Sequence, residues 1–271
     1  DLAQAKDAKK DEFYTQLTDI EKELRHYTEY FRDKVVFCNC DDPYESNFFK
    51  YFALMFNKLG LKKLIATCYN GSPVSGNELL LDFGDTVDDP KKIAYKVEIT
   101  EVIDTNGDGA INLSDIQYLM QNDKNVISVL KGNGSFDSLE SIELLKEADI
   151  VVTNPPFSLF REYLSLLDKH NKQFIIIGNT NALTYKEIFP LIQRNEAWTG
   201  YRFGEMKFRV PSNSRPRKTR FWIDATGQKW RSLGNAMWLT NLDIERRHRW
   251  LQLTKKYSPI ETLENILDNY V

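Results

Sequence analysis

The chain is short of cysteine. Only Cys38, Cys40 and Cys68 occur in 271 residues, an odd number set among apolar neighbours. This argues against a disulfide framework and for a reducing compartment. Cys38-x-Cys40 brings too few ligands for a zinc site. Long apolar runs are missing as well. Nothing approaches the roughly 20 residues of a membrane span, and no signal peptide is visible. The chain lacks an initiating Met and opens at Asp1, which reads as a trimmed piece. What is present, 42% hydrophobic and 28% charged residues, fits a soluble globular protein of one large or two modest domains. The expected location is cytoplasmic, with no membrane partner.

Net charge is also small, at −3, but it is unevenly sorted. Residues 199–256 hold 14 Lys+Arg against 4 Asp+Glu, a surplus of +10, while the other 213 residues carry −13. A basic segment on an acidic body points to a polyanion partner for that segment alone.

Periodicity predicts a helix over 2–30, with Leu17, Ile20, Leu24 and Tyr27 on one face. A buried strand at 34–40, a helix from Ser46 to Gly60 and a second strand at 62–70 form a βαβ unit, hence a parallel sheet. Residues 73–100 read as two strands. Strand and helix then alternate from 126 to about 195. The fold class is α/β, a doubly wound, mostly parallel sheet over about 12–195. Ligands in such sheets bind at the carboxyl ends of the strands. After Trp198 the rhythm gives way to Arg, Gly, Pro and aromatic residues, which read as short strands and loops of a second region.

At one of those carboxyl ends, "DIVVTNPPF" runs a buried strand into Asn154, Pro155, Pro156 and Phe157. Two prolines end the strand, because neither donates to a ladder. The residue types suit a particular task. An adenine amine is a poor nucleophile, because its lone pair is delocalised into the ring. Two acceptors on one side draw the nitrogen toward a tetrahedral shape: the Asn154 side-chain oxygen and the Pro155 carbonyl, stiffened by Pro156. Phe157 can stack on the base. Such acceptors match the positive charge that develops as nitrogen attacks a methyl sulfonium. The bland alternative is a capped turn.

Thr153–Phe157 resembles the NPPF/Y signature of amino-group DNA methyltransferases. The flanks "LLKEADIVVTNPPFSLFREYL", "IIIGNTNALTYKEIFPLI" and "QKWRSLGNAMWLTNLD" are similar to the EcoRI-type adenine-specific methyltransferase family over nearly the whole chain. The resemblance implies a class I, Rossmann-like fold and S-adenosylmethionine as cofactor. It implies a catalytic domain over 1–198, with a target-recognition region over 199–271 and more chain beyond Val271. It also implies a bacterial or phage-encoded enzyme of a restriction-modification or orphan system. "DEFYTQ" is similar to the motif whose aromatic residues and Thr contact the cofactor, here Phe13, Tyr14 and Thr15. The usual Gly-rich loop after the first strand is replaced by "FCNCDDP". There Asp41 and Asp42 are candidates for the amino group of the methionine moiety and Asn39 for a polar contact with the cofactor, although Asp42-Pro43 is equally a helix-start device. At 130–138, "LKGNGSFDS" departs from the family's G-D-G-D-F-R-S, and Phe136 remains to pack the cofactor adenine.

Within 101–123, "DTNGDGAINLSD" matches a calcium loop of the EF type. Asp104, Asn106, Asp108, Asn112 and Asp115 fall at its oxygen positions, the Ala110 carbonyl at the seventh, and Gly109 at the turn. A metal-free Asx/Gly turn is the alternative. In the basic region, Arg209, Arg215, Arg217, Lys218, Arg220, Lys229 and Arg231 lie among Phe208, Phe221, Trp222 and Trp230. That mix suits phosphate and base contacts on double-stranded DNA, with the adenine flipped out to reach Asn154. The reading is therefore a DNA adenine N6-methyltransferase. The rivals are an RNA or protein amino-group methyltransferase, or an inactive DNA-binding relative.

Overall fold

The computed structural model describes residues 13–40, 42–69, 94–105, 107–122, 127–210, 212, 214 and 216–250. The first of the two strands expected over 73–100 lies outside them. One ten-stranded sheet organises the described chain. Its strands are β1 (Tyr14–Thr15), β2 (Val35–Cys38), β3 (Lys63–Cys68), β4 (Tyr95–Ile99), β5 (Ile127–Val129), β6 (Ile150–Thr153), β7 (Gln173–Asn179), β8 (Trp198–Arg209), β9 (Phe221–Ile223) and β10 (Lys229–Thr240). The spatial order is β1-β8-β10-β7-β6-β2-β3-β4-β5, with β9 paired to β10.

The parallel character is confined to the centre. β7, β6, β2 and β3 run parallel, and every other pairing is antiparallel. The expectation of a mostly parallel sheet therefore holds only for these four strands. Their sequences are continuous apolar runs because helices cover both faces. One face carries Val36, Val152 and Ile177, packed with α1 (Leu17–Leu24) and α3 (Asn47–Leu54). The other carries Phe37, Val151 and Ile176, packed with α6 (Leu139–Glu147) and α7 (Phe160–Lys169). The remaining helices are α2 (Thr28–Phe31), α4 (Phe56–Leu59), α5 (Leu113–Asn122) and α8 (Phe189–Gln193). Ser46 and Ser138 N-cap α3 and α6 by accepting from Phe49 N–H and Ser141 N–H, so the expected helix start at Ser46 follows from ordinary capping. Gly60 ends α4 in the left-handed conformation, φ 64°, as a glycine just past a helix does.

Two expectations change. The expected helix over 2–30 does not include Tyr14–Thr15, which pair as a strand with Phe208–Arg209 of β8; α1 starts only at Leu17. Two residues are too few to show a period, so only the partner strand reveals them. The stretch after Trp198 contains two strands of 12 residues, not only short ones. β10 pairs with both β7 and β8, so the change in texture marks a switch from βα units to antiparallel strands within one sheet. β8 bulges there: Thr199–Phe203 lies opposite Met237–Leu239. The buried Glu23 of α1 accepts from the bulge amides of Tyr201 and Arg202 at 2.8 and 2.9 Å and from Tyr27 Oη at 2.9 Å.

Candidate active site

β2 leads on to β3 on one side, and β6 to β7 on the other. The order reverses between β2 and β6, and at such a switch point a crevice opens beyond the strand ends. Asn39 follows β2 and Asn154 follows β6, so the two amides flank it. Both are buried, at 4% and 5% exposure.

The two ends of the Asn154 amide have different fates. Nδ2 donates to the Phe13 carbonyl oxygen at 2.5 Å. Oδ1 is buried without a hydrogen-bond partner. A carbonyl only accepts, so the Phe13 oxygen fixes which end of the amide faces away from it. Pro155 is buried, and Phe157 opens a single 3-10 turn, Phe157–Leu159, that leads into α7. The Phe157 ring stacks on Phe13, with centroids 5.3 Å apart and planes 29° apart. The segments "FYT" and "NPPF" therefore form one unit.

Orphaned polar atoms gather in the same segments. Of seven buried polar side-chain atoms without partners among the described residues, five fall here: Thr15 Oγ1, Asn39 Nδ2, Tyr44 Oη, Thr67 Oγ1 and Asn154 Oδ1; Glu187 Oε2 and Trp238 Nε1 lie elsewhere. A buried polar atom left unpaired costs about 1–3 kcal/mol. Five of them on β1, the ends of β2, β3 and β6, and the β2–α3 turn fit a polar ligand carrying both donors and acceptors. Asp42 is differently placed. It accepts from Tyr44 N–H at 2.9 Å, Tyr95 Oη at 3.0 Å and the Cys68 thiol at 3.1 Å, so its carboxylate is engaged within the protein. Burial, with Asp42 beside it, pushes the Tyr95 hydroxyl far above the usual phenol range. Asp41 lies outside the described residues.

Phe136 is half-buried and meets the Tyr163 ring edge-on at 5.1 Å. Tyr163 escaped the sequence reading because Phe160, Tyr163, Leu164 and Leu167 form an ordinary apolar helix face. Its hydroxyl donates to Asn39 Oδ1, a link between distant segments that no sequence pattern announces. Gly134 in the preceding loop has φ 69°, and a Cβ there would meet the Cys68 carbonyl oxygen at 2.5 Å. Only glycine lets this loop press against the end of β3.

The basic residues divide into two groups. The Arg209 guanidinium lies 5.1 Å from the Tyr14 ring centroid and pairs with Glu45. Arg231 lies 5.0 Å from the Phe13 ring, and burial lowers its pKa. Lys229 donates to the Ser212 and Ser214 carbonyls. Arg217, Lys218 and Arg220 are exposed, and Arg215 lies outside the described residues. Trp222 and Trp230 stack at 6.3 Å with planes 9° apart.

In the loop at 104–115, Asp104 accepts from the amides of Gly107, Asp108 and Gly109, and Asp115 from those of Thr105 and Asn112. Asp108 accepts from Ala110 N–H and Asn112 Nδ2. Asn106 lies outside the described residues. No cluster of three or more His, Cys, Asp or Glu arranged to hold a metal occurs among the described residues.

The family described as "Adenine-specific methyltransferase EcoRI" matches residues 1–270. The chain belongs to this adenine-specific methyltransferase family. It is 47% identical to the Type II methyltransferase M.EcoRI of Escherichia coli, over 99% of this chain and 76% of that protein. It is 38% identical to the Type II methyltransferase M.MpnI of Mycoplasma pneumoniae, over 93% and 68% of the two chains. A third relative, Type II methyltransferase M.MgeORF184P of Mycoplasma genitalium, is 36% identical over 88% of this chain and 63% of its own. No solved structure matches the methyltransferase chain. No helix among its described residues is long and apolar enough to cross a membrane.

Proposed function

We propose that this methyltransferase transfers the methyl group of S-adenosylmethionine to the exocyclic N6 amine of an adenine in a specific duplex DNA site, as part of a restriction-modification or stand-alone modification system. The observation that carries the reading is the Asn154 amide, tied down through its nitrogen and left with a buried, unpartnered oxygen. That oxygen and the Pro155 carbonyl accept the two N–H groups of the amine. They hold the nitrogen near a tetrahedral shape and stabilise the positive charge that grows on it. Phe157, braced by Phe13, holds the base ring. Bound S-adenosylmethionine supplies a methyl group on a positively charged sulfur. Asn39, Thr15 and Phe136 are the residues we assign to holding it, with Phe13 and Tyr14 forming the wall between cofactor and base. Asp42 shapes the turn beside it.

A duplex stacks the adenine away from Asn154, so the base leaves the stack to react. We assign residues 1–198 to catalysis and residues 199–271 to target recognition. Arg217, Lys218 and Arg220, exposed cations of that segment, meet phosphates. Calcium at 104–115 is proposed only as a structural clip. An unchanged thermal midpoint on adding calcium is the outcome against it.

The deciding experiment exposes duplex DNA to the protein and S-adenosylmethionine, then sequences the methylated bases. N6-methyladenine at one recurring sequence supports the proposal. Methyl transfer to RNA or peptide but not to duplex DNA favours the first rival. Duplex binding without transfer favours the inactive relative.

A further inference from the structure

We propose that Tyr163 is a positioning residue that turns the Asn39 amide so that its NH2 group donates to an oxygen acceptor of the cofactor. This inference rests on the methyltransferase reading above. Asn39 stands one residue beyond β2, across the switch point from Asn154, at 4% exposure. Its Oδ1 accepts from the Tyr163 hydroxyl and from the Cys40 thiol at 3.5 Å. Both groups can donate, and the structure places the amide oxygen at this end to accept from them. The other end, Nδ2, is buried without a partner. Tyr163 is itself fully buried on α7, the helix that directly follows "NPPF". Its ring supports Phe136, proposed above to pack the cofactor adenine. One side chain thus stands behind two proposed cofactor contacts.

The arrangement mirrors Asn154. There a backbone carbonyl holds the nitrogen and frees the oxygen to accept; here a phenol holds the oxygen and frees the nitrogen to donate. The donor suits the cofactor's carboxylate, which presents only lone pairs and no hydrogen of its own. It also offers an account of how this chain manages without a Gly-rich loop after its first parallel strand. A side-chain N–H does what backbone N–H groups would otherwise do.

Two substitutions test it by calorimetry, with S-adenosylhomocysteine and 5′-methylthioadenosine as probes. Asn39→Asp keeps the acceptor for Tyr163 but replaces the donor by an anion. Roughly tenfold or greater weakening is expected, the loss of one charge-assisted bond. If only S-adenosylhomocysteine weakens, the acceptor is the carboxylate. Equal weakening of both probes, which differ in the carboxylate-bearing moiety, would overturn the carboxylate contact. Tyr163→Phe keeps the ring and removes the hydroxyl. It should raise KM for S-adenosylmethionine several-fold while kcat at saturation stays near the wild-type value. Binding of S-adenosylhomocysteine by the unsubstituted protein tests the parent reading separately. With that binding intact, unchanged affinity in Asn39→Asp, or a Tyr163→Phe variant that loses kcat at unchanged KM, overturns the inference.

Discussion

The Asn154 side-chain nitrogen donates to the Phe13 carbonyl across 141 positions of chain, at 2.5 Å. The link joins the "FYT" and "NPPF" segments and leaves Asn154 Oδ1 buried without a partner. Replacing Asn154 by Ala removes the acceptor but not the Phe13 backbone. The expected loss of methyl transfer is about 10²–10³-fold in kcat, the usual effect of deleting one preorganised polar group from a reaction centre. Cofactor affinity should change little. A radiolabelled methyl-transfer assay beside a binding isotherm separates the two, and normal turnover in this variant rules the mechanism out.

Much of this was legible in the sequence. The parallel core came from continuous apolar runs alternating with a helix expected from Ser46 to Gly60, because buried strands and capped helices leave local marks. Asn154 and Phe157 were legible because their chemistry is carried by four consecutive residues. Other features needed the fold. Tyr14–Thr15 acquires meaning only opposite β8. Arg209 and Arg231 read as DNA-contacting cations, yet they sit over the Tyr14 and Phe13 rings, because the sheet register brings those strands together. Tyr163 was hidden in an apolar stripe.

That division of the cations gives a second prediction. Arg217→Ala and Lys218→Ala should each weaken duplex binding across all sequences and lower the salt slope of log K by about 1. Arg209→Ala should instead act on the protein, because its partners are Glu45 and Tyr14. Its main effect should be a fall in stability of about 1 kcal/mol. Binding titrations over a salt series, paired with urea unfolding, check both. A full unit of salt slope lost in Arg209→Ala is the result against the division.

Gly134→Ala adds a methyl group where the Cys68 carbonyl oxygen is 2.5 Å away, and it does so at φ 69°. The strained backbone alone costs on the order of 1 kcal/mol, and the clash adds to it. We expect a loss of about 2–3 kcal/mol in chemical denaturation. Weaker cofactor binding should accompany it, because the same loop carries Phe136. The control is Gly132→Ala, where the nearest atom is the Glu140 carboxylate at 3.2 Å and φ is not in the left-handed region. Equal losses at the two positions would argue against the close packing of this loop on β3.

Glu23 supplies the pH prediction. Burial raises its pKa above the usual carboxylate value, against the lowering effect of the Tyr201, Tyr27 and Arg202 hydrogen bonds. A raised folded pKa means the folded state holds the proton more tightly than the unfolded chain. Stability therefore falls as pH rises from the unfolded value of about 4.5 through the folded one, the reverse of a salt-bridged carboxylate. Glu23→Gln cannot titrate. The stability of the unsubstituted protein relative to Glu23→Gln should thus be highest at low pH and decline across that window. Glu23→Ala leaves two bulge amides and the Tyr27 hydroxyl short of an acceptor, and it should cost about 3 kcal/mol or more at any pH. Urea midpoints of the three proteins between pH 4 and 8 decide the matter. A difference between wild type and Glu23→Gln that grows with pH would mean that the bulge amides and Tyr27 hold the carboxylate in its charged form more strongly than burial opposes it.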